Sequence, residues 1–283
     1  MQVHQFIISK ADKTIMNIHP TAVIDPGARV HPSAVVGAYA VIEKGVVIGP
    51  DCVISPHAVV TGSTTLGARN TIGSFTNIGG PPQDLKYNNE DTRLEIGDDN
   101  QIREYVSIHR GTPGGRGVTT VGSGNLLMAY THVAHDCQVG DGVIMANAAT
   151  LGGHVQVGDR VIIGGLTAVH QFTRIGEFAY IGGMSGISKD VPPYVIMAGI
   201  RNQMRVTGIN RIGLRRAGFD ADTIRKLVQA YRIIFRSPDL LLQDALDKAL
   251  TDLPDCAPVA RLVDFFRTSK RSVVRTAGDD DEE

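Results

Sequence analysis

His135, Gly153 and Gln171 follow one another at a constant interval of 18, and Asp136 and His154 repeat the same interval beside them. These residue types can do acid–base work. A neutral imidazole, with an ordinary pKa near 6.5, can take a proton from a hydroxyl at neutral pH. A carboxylate beside it, such as Asp136, would fix its tautomer if the two residues share a corner, because neighbours on a strand point to opposite faces. Gly153 has no side chain and would let a substrate oxygen reach a backbone N–H, as an oxyanion donor must; a simple turn glycine is the plainer reading. A metal site is the chemical alternative, since His132, His135 and His154 could ligate Zn²⁺, although no thiolate joins them. Five of the nine histidines fall between positions 109 and 170. His19, His31 and His57 face outward without companions and read as ordinary surface.

The interval of 18 needs an element that returns the chain above itself. An aliphatic residue recurs every sixth position from Ile18 to Ile78, again at Ile96, Ile102 and Ile108, and then from Val121 through Ile187. Neither the 3.6-residue period of a helix nor the two-residue period of a flat strand fits. A chain that turns one corner per six residues closes a triangular coil every 18, and such coils stack as parallel strands ~4.8 Å apart. The fold expected is therefore mainly β, a parallel β-helix of hexapeptide repeats. Two positions before many ladder residues stands a small one, such as Ala34, Ala40 and Ala58, and Cys52 and Cys137 fall in this class as core residues. None of His135, His154 and His170 occupies a lumen position.

Two excursions interrupt the ladder. The stretch Gly79–Tyr87 precedes resumption at Ile96, one full interval of 18 after Ile78, so it should replace one coil's worth of chain. The glycine-rich stretch His109–Thr120 separates Ile108 from Val121 by 13 residues. Loops on a rigid wall are where function concentrates. After Val191-Pro192-Pro193 the period becomes helical, with helices expected at Gln203–Arg216, Ala221–Arg236 (capped by Asp220), Asp239–Leu253 and Val259–Ser269, broken at Gly218, Pro238, Pro254 and Pro258. This block should cap the open end of the solenoid. The organisation expected is an N-terminal extension (1–17), the β-helix (18–196), a C-terminal helical domain (197–271) and an acidic disordered tail (272–283).

Composition narrows the function classes. The chain has 42% hydrophobic residues, a formal net charge of −1 and three cysteines without metal-like spacing. A globular protein of a reducing cytoplasm is implied, without signal peptide or membrane span at residues 1–16. Between Val191 and Phe219 there is no acidic residue, yet Arg201, Arg205, Arg211, Arg215 and Arg216 all fall there. Such a patch favours an anionic ligand or partner. Nucleic acid is excluded as the partner because the patch is short and the remaining chain near neutral.

Several stretches are far more specific than the repeat. They are Gln83-Asp84-Leu85-Lys86-Tyr87, Ile108-His109-Arg110-Gly111-Thr112, Asn125–Met128, His132–Cys137, Gly153-His154, Ala168–Phe172 and Asp190–Ile196. Over about Ile18–Arg271 the chain resembles the acyl-carrier-protein-dependent UDP-N-acetylglucosamine O-acyltransferases of lipid A biosynthesis. The resemblance implies a left-handed β-helix, a homotrimer with sites between subunits, and 3-hydroxyacyl transfer from acyl carrier protein to the sugar 3-hydroxyl, with no cofactor. It makes His135 the base, Asp136 its partner and Gly153 the oxyanion donor. Gln83, Asp84, Lys86, His132, His154, His170 and Gln171 would bind substrate and Arg216 the nucleotide, while the uncompensated charge of Arg205, Arg211 and Arg215 is expected to receive the acidic carrier protein. Gly183, one coil beyond Gly165, would leave the acyl groove open and set chain length. Ala217 and Ile200 depart from the family's pattern. A metal-dependent hydratase of the carbonic-anhydrase kind and a non-catalytic scaffold are the competing readings.

Overall fold

A computed structural model describes residues 17–200 and 203–275. Its strands form three parallel faces that the chain visits in rotation. Face one runs from Val23–Ile24 to Gly186–Ile187, face two from Arg29–Val30 to Arg174–Ile175, and face three from Val35–Val36 to Val195–Ala198. Undisturbed partners lie one coil apart, as in Ile24 with Ile42 and Val133 with Leu151. The ladder residues point into the lumen and are almost wholly buried from Val36 to Ile187. Ala34, Ala40, Ala58 and the thiols of Cys52 and Cys137 fill the space between them. Burial pushes the Cys137 thiol up to about 12, so it stays a protonated core residue.

Each corner is a tight turn whose second residue adopts the left-handed conformation even where it is not glycine, as at Tyr105 (φ 61°), Asp136 (φ 59°) and His154 (φ 63°). Such a residue costs of order 1 kcal/mol, which the stacked ladders on either side must offset. The three edges carry different material. Along the edge between faces two and three, buried Asn70, Asn100 and Asn125 are linked coil to coil through side-chain oxygens accepting from the next backbone N–H at 2.9–3.0 Å. Along the edge between faces three and one, the rings of Tyr39, His57, Phe75, Tyr105 and Tyr130 stack at centroid spacings of 4.8–5.2 Å. His57 is thus held in an aromatic pile, not left without companions.

Both excursions leave from the remaining edge, between faces one and two. Ile78 lies on face one and Ile96 on face two, and Ile96 pairs with Leu66, a separation of 30 instead of 18. The first excursion therefore inserts twelve residues into one corner and does not replace a coil. Because twelve is two repeats, the phase survives. Val121 pairs with Ile96 at a separation of 25, so the second excursion adds seven residues to the next corner of the same edge.

Beyond the ladder, the helical expectation at 203–216 is half wrong. Arg205–Ile209 is a strand that pairs antiparallel with Val195–Ala198, covering the open edge of face three. Only Arg211–Arg216 (α1) is helical, capped by the Asn210 side chain. Helices follow at Ala221–Phe235 (α2), where the Asp220 side chain accepts from the Thr223 amide as a cap, Leu242–Asp252 (α3) and Ala257–Thr268 (α4). Pro258 is not a break but lies in the first turn of α4, where its missing N–H costs nothing. Arg261 of α4 joins Glu177 (3.0 Å) and the Tyr194 hydroxyl (2.9 Å), tying the helices to the solenoid. Residues 272–275, expected to open the disordered tail, instead pack: Val273 bridges to Asp190 and Val274 is buried. The rest of the acidic tail and residues 1–16 lie outside the described residues, within which no helix is long and apolar enough to cross a membrane.

Candidate active site

Residues 135 and 136 form a corner between faces one and two, and this resolves the divergence expected of strand neighbours. His135 Nδ1 lies 2.9 Å from Asp136 Oδ2. An ionised carboxylate only accepts, so Nδ1 carries the proton and Nε2 keeps its lone pair. A Cβ on Gly153 would stand 2.7 Å from that Nε2 and 2.6 Å from Cε1. The missing side chain is what leaves room beside the base. Among the described residues, the Gly153 N–H meets no acceptor.

The seven-residue insertion explains how the carboxylate is held. Thr112 donates its amide to both Asp136 oxygens at 3.1 Å and its hydroxyl to Oδ2 at 2.6 Å, and the Arg116 amide donates at 2.8 Å. The Asp136 amide donates in turn to the Thr119 hydroxyl at 2.8 Å. A Cβ on Gly115 would fall within 2.4–2.6 Å of the carboxylate atoms, so the loop closes on it directly. Burial raises the Asp136 pKa, but the bonds from Thr112, His135 and Arg116 outweigh it and hold the group below its ordinary value.

The other histidines line the same edge. His154 Nε2 is 3.9 Å from Asp136 Oδ2, its ring lies edge-on to His135 at 5.0 Å and stacks on Phe172 at 4.3 Å. Burial lowers its pKa against the pull of Asp136. His132 Nδ1 bonds the Ser107 hydroxyl at 2.8 Å, and burial followed by the nearby His135 lowers its pKa. His109, buried edge-on to His132, is pushed down to about 4, first by burial and then by His132, His135 and Arg110. His170 Nδ1 meets Arg271 at 3.3 Å, and Gln171 is exposed at the corner below Gly153.

The twelve-residue insertion carries Gln83, Asp84 and Lys86, with the Lys86 amide donating to Asp84 Oδ1 at 3.0 Å. Arg110 pins this loop by donating to the Tyr87 hydroxyl at 2.9 Å. Asp84 comes near enough to His154 to favour its charged form. Leu85 projects fully into solvent.

One chain does not bring every candidate together. Gly183 lies on the edge between faces three and one, away from His135; a Cβ there would meet only the backbone of Gly165, at 3.2 Å, and Met184 points outward. Arg205 lies on the antiparallel strand and Arg211, Arg215 and Arg216 on α1, all exposed and without an acidic partner among the described residues. Arg201 falls outside them. The spacing argument gives no role to Thr112, Thr119, Ser107 or Phe172. Among the described residues, the trio placed to hold a metal differs from the one expected: His135, Asp136 and His154 offer ligand atoms within 4.8 Å of one another, without His132.

A family model described as UDP-N-acetylglucosamine O-acyltransferase, domain 2, matches residues 190–274, and one for six bacterial transferase hexapeptides matches residues 119–153. An acyl-[acyl-carrier-protein]–UDP-N-acetylglucosamine O-acyltransferase of Syntrophobacter fumaroxidans is 52% identical over 260 residues, covering 92% of this chain and all of that protein. Its counterpart in Thermodesulfovibrio yellowstonii is 51% identical over 71% of this chain and 77% of its own length. The crystal structure of UDP-N-acetylglucosamine O-acyltransferase from Moraxella catarrhalis matches with a TM-score of 0.88 at 45% identity, over 92% of this chain and 100% of that one. The Arabidopsis UDP-N-acetylglucosamine acyltransferase matches at 0.80 and 35%, with the same coverage. Sharing both the stacked coils and half the residues of such relatives, the chain belongs to the acyl-[acyl-carrier-protein]–UDP-N-acetylglucosamine O-acyltransferase family, and its solenoid is a left-handed β-helix.

Proposed function

We propose that this protein transfers a 3-hydroxyacyl group from acyl carrier protein to the 3-hydroxyl of UDP-N-acetylglucosamine, the first step of lipid A biosynthesis. The observation that carries the mechanism is the His135–Asp136 contact at 2.9 Å, with the carboxylate fixed by the Thr112 and Arg116 donors. His135 Nε2 takes the acceptor's hydroxyl proton while the oxygen attacks the thioester carbonyl. The resulting oxyanion is stabilised by the Gly153 N–H. As the C–S bond breaks, the imidazolium returns its proton to the departing thiolate, leaving an ester and a free carrier thiol. Asp136 remains ionised throughout and supports the cationic imidazole.

Gln83, Asp84, Lys86, His132, His154, His170 and Gln171 surround the same edge and are assigned to substrate. Gly183 and Arg216 belong to the same reaction only if a second copy of the chain supplies them. That need, together with the exposed aromatic pile on the same edge as the Gly183 corner, supports a homotrimer in which the edge bearing one subunit's histidines faces its neighbour's pile. Arg205, Arg211 and Arg215 are assigned to the acidic carrier protein, and the reaction to the cytoplasm.

His135→Ala should lower kcat by 10²–10⁴-fold, the usual worth of a general base, without loss of fold, because the side chain is outside the lumen. More than about a tenth of wild-type turnover at saturating substrates would assign the base elsewhere. The metal reading has the trio within 4.8 Å in its favour. Activity lost to EDTA and restored by Zn²⁺ would replace the acid–base scheme, whereas the scheme expects no change.

A further inference from the structure

Beside the histidine edge, on the face-two side and beneath the C-terminal end of α4, lies a cavity of about 460 Å³. Its walls include His154 and Phe172 from the corners, and four cationic side chains: Arg116 from the seven-residue insertion, Arg174 from face two, and Lys270 and Arg271 from the segment after α4. None of the four forms an ion pair with a carboxylate among the described residues. Arg174 is held in place by Thr268 oxygens at 3.2 and 3.3 Å and by the Phe265 ring, whose centroid is 4.6 Å away. Arg271 reaches His170 at 3.3 Å.

Two carboxylates in the wall, Asp136 and Asp190, offset part of this charge and leave the lining cationic by two, but neither forms an ion pair with any of the four. Asp136 is saturated by Thr112, Arg116 and His135, and Asp190 accepts from the Arg174 amide at 2.8 Å and the Ser269 hydroxyl at 2.7 Å. Four unpaired cations around one concave site concentrate field and favour a compact anion, and guanidinium forks match phosphate oxygens in pairs. This cavity abuts the reacting corner, and it is built from different arginines than those on α1.

Taking the acyl-transfer reading as given, we propose that this cavity is a phosphate-ester subsite, holding a phosphate of one of the two substrates while the reacting atoms lie at His135. The phosphate has two chemical sources, the diphosphate of the sugar nucleotide and the phosphate ester of the carrier's thioester-bearing arm. The test uses full-length protein, UDP-N-acetylglucosamine, and two minimal donors, an acyl-phosphopantetheine and the same acyl-pantetheine without phosphate. Lys270→Ala combined with Arg271→Ala leaves the Arg174 bracing intact.

If the donor's phosphate binds here, wild type should have a KM for the phosphorylated donor about tenfold or more below that for the dephosphorylated one, and the double variant should erase the difference with the acceptor KM unchanged. If the nucleotide's diphosphate binds here, the acceptor KM should rise about tenfold and the donors' values stay put. Either result supports the subsite and names its source. Unchanged KM values for all substrates, or equal rises in all of them with or without a lower Tm, would overturn it. Absence of acyl transfer in wild type would instead refute the reading on which the subsite rests.

Discussion

The edge between faces one and two and the edge between faces three and one are made by the same local rule. Both turn at a residue in the left-handed conformation, and both recur once per coil where no loop intervenes. Their contents are opposite. On the first edge the two insertions spread the chain, polar side chains converge, and one carboxylate collects several donors. On the other, no insertion intervenes and five rings pile directly on one another, largely exposed. A regular ladder makes identical neighbours stack, which suits a surface for assembly. Chemistry needs unlike groups to converge, and interrupting the register is how this solenoid brings Thr112 of one coil onto Asp136 of the next.

The sharpest way to break this comparison is to add one methyl group to equivalent corner glycines on the two edges. Gly153→Ala puts a carbon about 2.6–2.7 Å from two ring atoms of His135, so the base must leave its place. We expect kcat to fall by about 10² or more, approaching removal of the base itself. Gly183→Ala meets nothing nearer than 3.2 Å and should retain turnover on all but the longest donors. Steady-state assays of both variants decide the matter, and equal losses would erase the distinction between a reacting edge and a bordering one.

A larger residue at Gly183 should change selectivity rather than rate. The site opens toward solvent, with Met184 projecting beside it, so Gly183→Met would fill space that a neighbouring subunit's acyl chain is assigned to use. Excluding about four methylenes at ~0.8 kcal/mol each costs on the order of 3 kcal/mol, or roughly 10²-fold in preference for the long donor. Competition between long and short 3-hydroxyacyl donors reads this ratio. An unchanged preference would remove Gly183 from the acyl groove.

The aromatic pile provides the converse test. Phe75 touches His57 and Tyr105 at 5.0 and 5.2 Å, so Phe75→Ala removes two ring contacts, each worth ~0.5–1.5 kcal/mol. Because the pile is exposed, the effect on one subunit's fold should stay at the low end. Assembly into the proposed homotrimer should suffer more, with dissociation at higher protein concentration by sedimentation while kcat per intact assembly is kept. Unaltered dissociation would show that the pile serves the fold alone.

How much of this is legible in the sequence follows from the same contrast. The six-residue ladder exposes the β-helix, and the interval of 18 aligns His135 with Gly153 because no insertion separates those coils. Thr112 precedes Asp136 across a loop whose path the period does not fix, so its role stays hidden. The twelve-residue insertion keeps phase and so passes for a whole coil. The strand Arg205–Ile209 reads as helix because the demand it meets, an unpaired edge at Val195–Ala198, is tertiary. Alternating buried Met204 and Val206 are the local trace of it.

The smallest effect probes the insertion most directly. Thr112→Val keeps the shape but removes the hydroxyl that donates to Asp136 Oδ2 at 2.6 Å, leaving the amide bonds. Among the influences on Asp136, burial raises the pKa and the Thr112 hydroxyl is the foremost that lowers it, so the variant's carboxyl should titrate higher. The sign for stability follows: a carboxyl depressed in the fold contributes above its unfolded pKa of ~3.9, and that contribution is lost as pH falls through the folded value. The variant should therefore lose stability at a higher pH than wild type in acid titrations. Its kcat should fall about tenfold, as one hydrogen bond to a charged group is worth ~1.5 kcal/mol, with KM little changed. Thr112→Ser should restore most of both. A variant whose kcat falls but whose acid transition does not move would mean that Thr112 shapes the loop without holding the carboxylate.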